Sequence, residues 1–414
     1  MSKQTYVIVG ASLTGAKAAE ELRNQGFDGR IVLIGDEHEL PYERPPLTKD
    51  YLRGESPREK TRVHEHGFYE HHDIELLTGI TVTAIEPAKR LILVNGNQGP
   101  VYDRLLIATG AQPRRLEIPG ASLDGIHYLR TLADCDVLRE RLQADGKVVV
   151  VGAGWISAEF AASARQRGLD VTVIEPAAVP LERVLGKELG AFYRDVHEGH
   201  GVELRSETGV EAFEGQGSVA TVRTSDGQSI ACDFVVVAVG VIPRTGLAEA
   251  AGATIDNGIL VNEKLATSVP GVFAAGDVAN AWHPFFGRRI RVEHWANALN
   301  QGPAVARSML GQEVSYDRLP YFFSDQYDVG MEYSGYATDW DEVVHRGALA
   351  DGAFIAFWLK DRRVVAGMNV NVWDVNDDVQ KLIRSRQEID VAALRDEDTP
   401  LRDLVDQPDS ADDE

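Results

Sequence analysis

Residues 147–160 read KVVVVGAGWISAEF: an apolar run with strand character, a glycine-bearing turn and the opening of a helix. Residues 5–22, TYVIVGASLTGAKAAEEL, have the same grammar. In the earlier stretch a strand over Tyr6–Val9 leads into Gly10-Ala11-Ser12-Leu13-Thr14-Gly15, a helix runs to about Leu22, and a strand from Arg30 ends at Asp36. In the later one Val148–Val151 leads into Gly152-Ala153-Gly154-Trp155-Ile156-Ser157, a helix runs to about Arg167, and Asp170–Ile174 ends at Glu175. Strand, glycine turn, helix, strand and terminal acid, in that order, predict a β-α-β unit that binds a dinucleotide. The first glycine allows the tight turn, the helix N-terminus aims N–H groups at a pyrophosphate, and the terminal carboxylate accepts from a ribose. Each unit departs once from G-x-G-x-x-G, with Ser12 at the middle glycine and Ser157 at the last. Two units predict two dinucleotides, and a redox relay is the usual reason to hold both.

The second turn carries a cofactor preference. Glu175 bonds a ribose 2′-hydroxyl and repels a 2′-phosphate, and Pro176-Ala177-Ala178 brings no positive charge, which favours NADH over NADPH. Arg183 lies near enough in sequence to temper that preference.

At 414 residues the chain exceeds one ordinary core and predicts two or three domains. Hydrophobic content of 44% with mixed charges is that of a soluble globular protein. No apolar run approaches the ~20 residues of a membrane helix. The opening MSKQTYVIVG passes straight into a strand and leaves no room for a secretory signal. Cys135 and Cys232 form no C-x-x-C and support neither a disulfide framework nor a zinc site, so the expected compartment is the cytoplasm. A net charge of −22 excludes a general nucleic-acid or membrane-surface binder. The acidic tail, residues 405–414, is expected to be disordered.

Three further stretches narrow the class: RLLIATG, ending at Ala108-Thr109-Gly110; FVVVAVGVIP, Phe234–Pro243; and TSVPGVFAAGD, Thr267–Asp277. With the two turns they resemble the two-dinucleotide flavoprotein reductases of the glutathione-reductase-like superfamily. Within it, PYERPPLTKDYL (41–52), VEHWANALNQ (292–301) and YFFSDQYDVGMEYSGYA (321–337) resemble the FAD-dependent NADH:ferredoxin reductases. These are the putidaredoxin reductase type, which serve Rieske-type dioxygenases and bacterial haem monooxygenases. The resemblance covers nearly the whole chain apart from the tail. It implies an α/β fold: two Rossmann-like dinucleotide-binding domains plus a small α+β C-terminal interface domain. The FAD domain would be 1–116 and 245–319, the NADH domain 117–244 and the interface domain 320–404. Proline and glycine clusters in AQPRRLEIPGA and near 241–245 mark the first breaks independently, and DRLPYFFSDQ marks the third.

Relatives that reduce a disulfide carry C-x-x-x-x-C shortly after the first β-α-β unit, and NADH oxidases and peroxidases a single cysteine there. This chain reads ELPYERPPLTKDYLRG, without sulfur, so no protein thiol relays electrons. The expected path is hydride from NADH to FAD, then single electrons to an iron-sulfur ferredoxin of the two-iron two-sulfur type. A rubredoxin, quinone or oxygen reductase on the same fold stays open. So does, from another class, a redox-sensing interaction protein similar to apoptosis-inducing factor.

Turn chemistry and the resemblance together place at FAD the residues Gly10, Ser12, Thr14, Gly15, Asp36, Arg44, Lys49, Val82, Ala108, Thr109, Gly110, Arg130, Gly276, Asp277, His294 and Trp295. They place at NADH the residues Gly152, Gly154, Trp155, Ile156, Ser157, Glu159, Glu175, Arg183, Val239 and Gly240. The resemblance sets Lys49 beside the flavin ring, Glu159 beside the nicotinamide amide, and Trp155 as an aromatic gate, with ordinary packing as the alternative for the tryptophan. No acid-base triad is expected. Arg288, Arg289 and Arg291 in FGRRIRVEHW form a candidate docking patch for the acidic ferredoxin. HEHGFYEHHD, 64–73, reads as a solvated helix rather than a metal site, and FIAFWLKDRRVVAGM, 354–368, as a hairpin turning at Asp361-Arg362.

Overall fold

The computed structural model describes residues 3–142 and 145–405, so the tail expected to be disordered lies outside the described residues beyond Val405. The chain divides into two compact units, Met1–Gln143 with Val236–Arg318, and Ala144–Val235 with Leu319–Glu414. It opens with β1 (Thr5–Val9), α1 (Leu13–Asn24), β2 (Arg30–Ile34), β3 (Ile74–Leu77) and β4 (Arg104–Ile107). Next come β5 (Lys147–Val151), α2 (Trp155–Gln166), β6 (Asp170–Ile174), α3 (Lys187–Gly199) and β7 (Glu203–Arg205). The chain then adds β8 (Val272–Ala274) and α4 (Trp295–Met309). It ends in β9 (Tyr321–Gln326), β10 (Val329–Gly335), β11 (Glu342–Arg346), β12 (Phe354–Lys360), β13 (Arg363–Val370) and α5 (Asn376–Ser385).

The first unit is built on a parallel sheet in the order β8-β4-β1-β2-β3. Its inner strands, YVIV and IVLI, are continuous apolar runs because both faces are covered, as parallel sheets require. One covering helix is α1, whose Ala16, Ala18, Ala19 and Leu22 are buried. It crosses α4 closely at Gly302, where a Cβ would come within 2.7 Å of Thr14 O.

The second unit repeats the parallel arrangement as β7-β6-β5, with Phe234–Val237 beside β5. To it belongs an antiparallel sheet in the order β9-β10-β13-β12-β11. Leu189 and Tyr193 of α3 share one core with Phe322, Tyr333 and Trp358 of that sheet. The β12–β13 hairpin turns at Asp361 and Arg362, both at positive φ (48° and 58°), the twist-matched two-residue turn.

One expectation needs correction. The histidine-rich stretch forms only the short helix Phe68–His71, and His64 is packed rather than solvated. Its ring stacks on Phe68 at 3.8 Å with 8% of the side chain exposed, and burial lowers its basicity. Among the described residues no helix is long and apolar enough to cross a membrane, and no His/Cys/Asp/Glu group is arranged to hold a metal.

Candidate functional site

At the first turn Gly10 has φ +120°, and a Cβ there would lie 2.1 Å from Ala108 O, so glycine is obligatory. Gly15 is equally constrained: its Cβ would sit 2.0 Å from Gly10 O. Ser12 is the N-cap of α1, yet its hydroxyl makes no cap bond and instead accepts from Arg44 Nη1 at 2.6 Å. Arg44 Nε also donates to Arg130 O at 3.1 Å, and Arg130 pairs with Asp277 at 2.8 Å. Burial, and then the neighbouring Arg130, hold the Arg44 guanidinium below its usual range. Arg130 Nε is buried without a hydrogen-bond partner. Two guanidiniums that have converged on a helix N-terminus, one with an unmet donor, fit a bound anion such as a pyrophosphate. Gly276, where a Cβ would lie 2.5 Å from Thr14 Oγ1, lets the Asp277 segment close over α1, and its N–H donates to Gln301 Oε1 at 2.8 Å.

The acid after β2 differs from the simple reading. By strand register, Val9 pairs with Ile34 and Val151 with Ile174, so the counterpart of Glu175 is Gly35. A Cβ on Gly35 would meet Ala11 Cβ at 2.7 Å, leaving no space for a carboxylate. Asp36, one residue on, is exposed and paired with Arg244 at 3.0 Å, while Glu37 accepts from the Tyr42 hydroxyl and from Arg44 Nη2 at 3.4 Å. Thr109 Oγ1 donates to Arg244 O at 2.8 Å, and Arg244 N–H to Gly110 O at 2.9 Å. Val82 opens a strand paired to Val94 and packs in the core. Lys49 is half-buried at the start of the short helix Asp50–Arg53. His294 is the N-cap of α4, and burial pushes its imidazole down to about 4. Trp295 lies beside Glu43, whose carboxyl burial raises above its usual range. Val239 and Gly240 also fall in this unit; Gly240 has φ +97° and accepts from Arg114 N–H at 2.9 Å.

The second turn is more open. Gly154, the N-cap of α2, is exposed, with nothing within 4 Å of the position a Cβ would take, and Ile156 beside it is exposed as well. Ser157 is fully buried, so here the helix stands far enough off to admit a side chain where Gly15 admits none. Glu175 accepts from Ala153 N–H at 2.7 Å and Ala177 N–H at 2.9 Å, bracing the turn from its own strand. Arg183 is exposed on the short helix Glu182–Leu185. Trp155 packs edge-on against Tyr193 (5.6 Å) and Phe322 (5.2 Å). Glu159, one turn along α2, is buried and accepts from Ser324 Oγ at 2.8 Å.

Of the three arginines in the candidate patch, Arg288 and Arg289 are exposed on the strand Arg288–Ile290, where Arg289 stands opposite exposed Trp282. Arg289 Nη1 also donates to Val261 O at 2.6 Å. Arg291 turns inward to Glu293, with 12% of its side chain exposed, so its charge is locally neutralised. Cys135 and Cys232 are buried free thiols, each pushed up to about 12 by burial, and neither is near a glycine turn in sequence.

This geometry matches a known family. The pyridine nucleotide-disulphide oxidoreductase model matches residues 4–302 and the reductase C-terminal model residues 321–405. The chain belongs to the pyridine nucleotide-disulphide oxidoreductases. It is 36% identical over 410 residues to putidaredoxin reductase of Pseudomonas putida, covering 98% of this chain and 97% of that one. It is 39% identical over 404 residues to the ferredoxin reductase subunit of 5,5′-dehydrodivanillate O-demethylase from Sphingobium sp., covering 96% and 98%. The structure of the covalent putidaredoxin reductase–putidaredoxin complex superposes with a TM-score of 0.94 at 36% identity, over 98% of both chains. The protein is therefore an oxidoreductase of this family with a reductase C-terminal domain.

Sequence reading did not find Glu37, Arg244, Gln301, Ser324, Gln326 or His197 among the site residues. Gln301, Ser324 and Gln326 lie inside the stretches that carried the resemblance, which was the available signal. His197 and Arg244 carried none, since their partners are remote in sequence.

Proposed function

We propose that the protein is an FAD-dependent NADH:ferredoxin oxidoreductase. What carries the reading is the pair of glycine turns, the first lined by Arg44, Arg130 and Asp277, with no cysteine in the 41–54 stretch that could intercept electrons. Bound there, FAD would supply two-electron uptake from NADH and one-electron release to the iron-sulfur partner. Arg44, Arg130 and the N–H groups behind Ser12 would hold the FAD pyrophosphate, and Asp277 would accept from a ribityl hydroxyl. The N-terminus of α4, behind His294 and Trp295, supplies a positive dipole end at the isoalloxazine edge. Lys49 adds a cation there. Glu159 orients the nicotinamide carboxamide, Glu175 the ribose, and Trp155 stands over the turn between them. The reading assigns 1–116 and 245–319 to FAD, 117–244 to NADH and 320–404 to the interface domain.

The partner is a two-iron two-sulfur ferredoxin in the cytoplasm, docked on Arg288 and Arg289 next to Trp282. Adding NADH anaerobically to the yellow protein should bleach the flavin band, and adding such a ferredoxin with cytochrome c should restore it. A colourless protein that takes up no FAD overturns the proposal. Charge reversal at Arg288 and Arg289 should lower ferredoxin-linked turnover about tenfold more than ferricyanide reduction. Equal losses on both acceptors remove the docking assignment.

A further inference from the structure

Ser324, which donates to Glu159, is itself the end of a longer chain. Gln326 lies two residues along β9 and so on the same face, buried like Ser324, while Asp325 between them faces outward. Gln326 Nε2 donates to Ser324 Oγ at 3.2 Å, and Gln326 Oε1 lies 2.9 Å from His197 Nε2 on α3. The other imidazole nitrogen, Nδ1, is 3.4 Å from the Tyr327 hydroxyl, and the Tyr327 ring stacks on His200 at 3.7 Å. Glu159, Ser324, Gln326 and His197 are all at most 7% exposed.

Proton counting gives this chain one direction. An ionised carboxylate only accepts, so the single hydroxyl proton of Ser324 is committed to Glu159 Oε1. Ser324 Oγ must then accept, which turns the Gln326 amide with its N–H toward serine and its carbonyl toward His197. That carbonyl requires an N–H on His197 Nε2. Burial pushes His197 down to about 4, so the ring is neutral, Nδ1 is bare, and it accepts from Tyr327 O–H. Every donor therefore points toward Glu159. The chain cannot be read as a proton wire, because the Gln326 amide has no labile proton to pass on. Its effect is orientational: a buried, fully satisfied network fixes the rotamer of the carboxylate on which it ends.

We propose that Ser324, Gln326 and His197 are positioning residues for Glu159, a one-directional donor chain that holds its carboxylate in a single orientation for the nicotinamide. The inference rests on the reading that Glu159 meets the carboxamide of NADH. A carboxylate held in one orientation presents a fixed acceptor to the carboxamide N–H. Glu159 and Asp325 on β9 both bear on Tyr193 of α3, which burial keeps protonated, and His200 bears on His197.

The test measures the dissociation constant of NAD+ by calorimetry on the flavin-loaded full chain between about pH 5.5 and 8.5, with unfolding temperature and flavin content as controls. Ser324→Ala and His197→Leu each remove one link, His197→Gln keeps an N–H donor, and Glu159→Gln is the reference. Ser324→Ala and His197→Leu should weaken NAD+ about threefold to tenfold across this range. His197→Gln should stay close to the parent. If Glu159→Gln binds NAD+ as the parent does, the reading of Glu159 fails. If Glu159→Gln weakens binding while Ser324→Ala superposes on the parent at every pH, the donor chain is overturned. Should His197→Leu fail to fold, Ser324→Ala decides alone.

Discussion

Gly10 N–H donates to Ile34 O and Gly152 N–H donates to Ile174 O, each at 2.8 Å. Arg23 at the end of α1 reaches Phe27 O and His72 O, and Arg165 at the end of α2 reaches Leu169 O and His200 O. Both of those histidines bond their own helix, His72 to Phe68 O and His200 to Val196 O, at 2.8 Å. Asp103 accepts from Thr5 N–H at 2.8 Å, and Asp233 from Lys147 N–H at 2.7 Å. Each unit thus carries the same frame down to single hydrogen bonds. They part at three side chains. Ser12, held by Arg44, stands where Gly154 stands open; Gly15, with no room for a Cβ, stands where Ser157 is accommodated; Gly35 stands where Glu175 braces its turn. The first turn is closed in by cations delivered from elsewhere in the chain, as suits a ligand that is kept. The second is open and carries its own acid, as suits one that exchanges.

The most damaging probe of this contrast is a methyl group. Gly10→Ala at φ +120°, against Ala108 O, should cost about 4 kcal/mol or more and yield protein without flavin. Gly154→Ala, facing open space, should stay within about 0.5 kcal/mol in thermal unfolding and keep its flavin. Similar losses for both would mean that the turns are not differently packed.

Acid is the next largest effect. His197 in the second unit is neutral when folded, with its proton affinity pushed down to about 4, and titrates near 6.5 when unfolded. Between those values only the unfolded chain is protonated, so the stability present above pH 6.5 is lost as pH falls toward 4, by roughly 3 kcal/mol in the limit. His294 in the first unit has the same sign. Urea unfolding at pH 7 and pH 5 should show the loss, and His197→Gln should reduce it, leaving the share due to His294.

A smaller, local effect separates the two cofactors. Arg44→Met or Arg130→Met should weaken FAD retention by about tenfold to a hundredfold on gel filtration and flavin titration, without changing the NADH/NADPH ratio. Glu175→Ser should do the reverse, moving that ratio toward NADPH by about tenfold, roughly 1.4 kcal/mol, with flavin content unchanged. A change of flavin content in Glu175→Ser would merge the two sites that the comparison keeps apart.

Consecutive residues were enough to place both β-α-β frames, because a parallel strand is a continuous apolar run and a tight turn demands glycine at one known offset. Expected strands at 148–151 and 170–174 agree with β5 and β6 within one residue, and the hairpin turn at Asp361-Arg362 is where it was expected. His64 was misjudged because polarity alone does not reveal a stack on Phe68. Asp36 sits one residue farther from its strand than Glu175 does, and only the contact of Gly35 with Ala11 shows why the matching position carries no acid.

What the sequence by itself determined is local: two glycine turns, their order, the acid at the second, and the lack of a cysteine where a sulfur relay would sit. What only the tertiary structure decided is convergence. Arg130 and Asp277 meet across 147 residues, and Ser324 reaches Glu159 across 165. A turn is fixed by the steric limits of its own backbone, whereas a charge cluster depends on which distant segments the sheets bring together, and no local pattern records that.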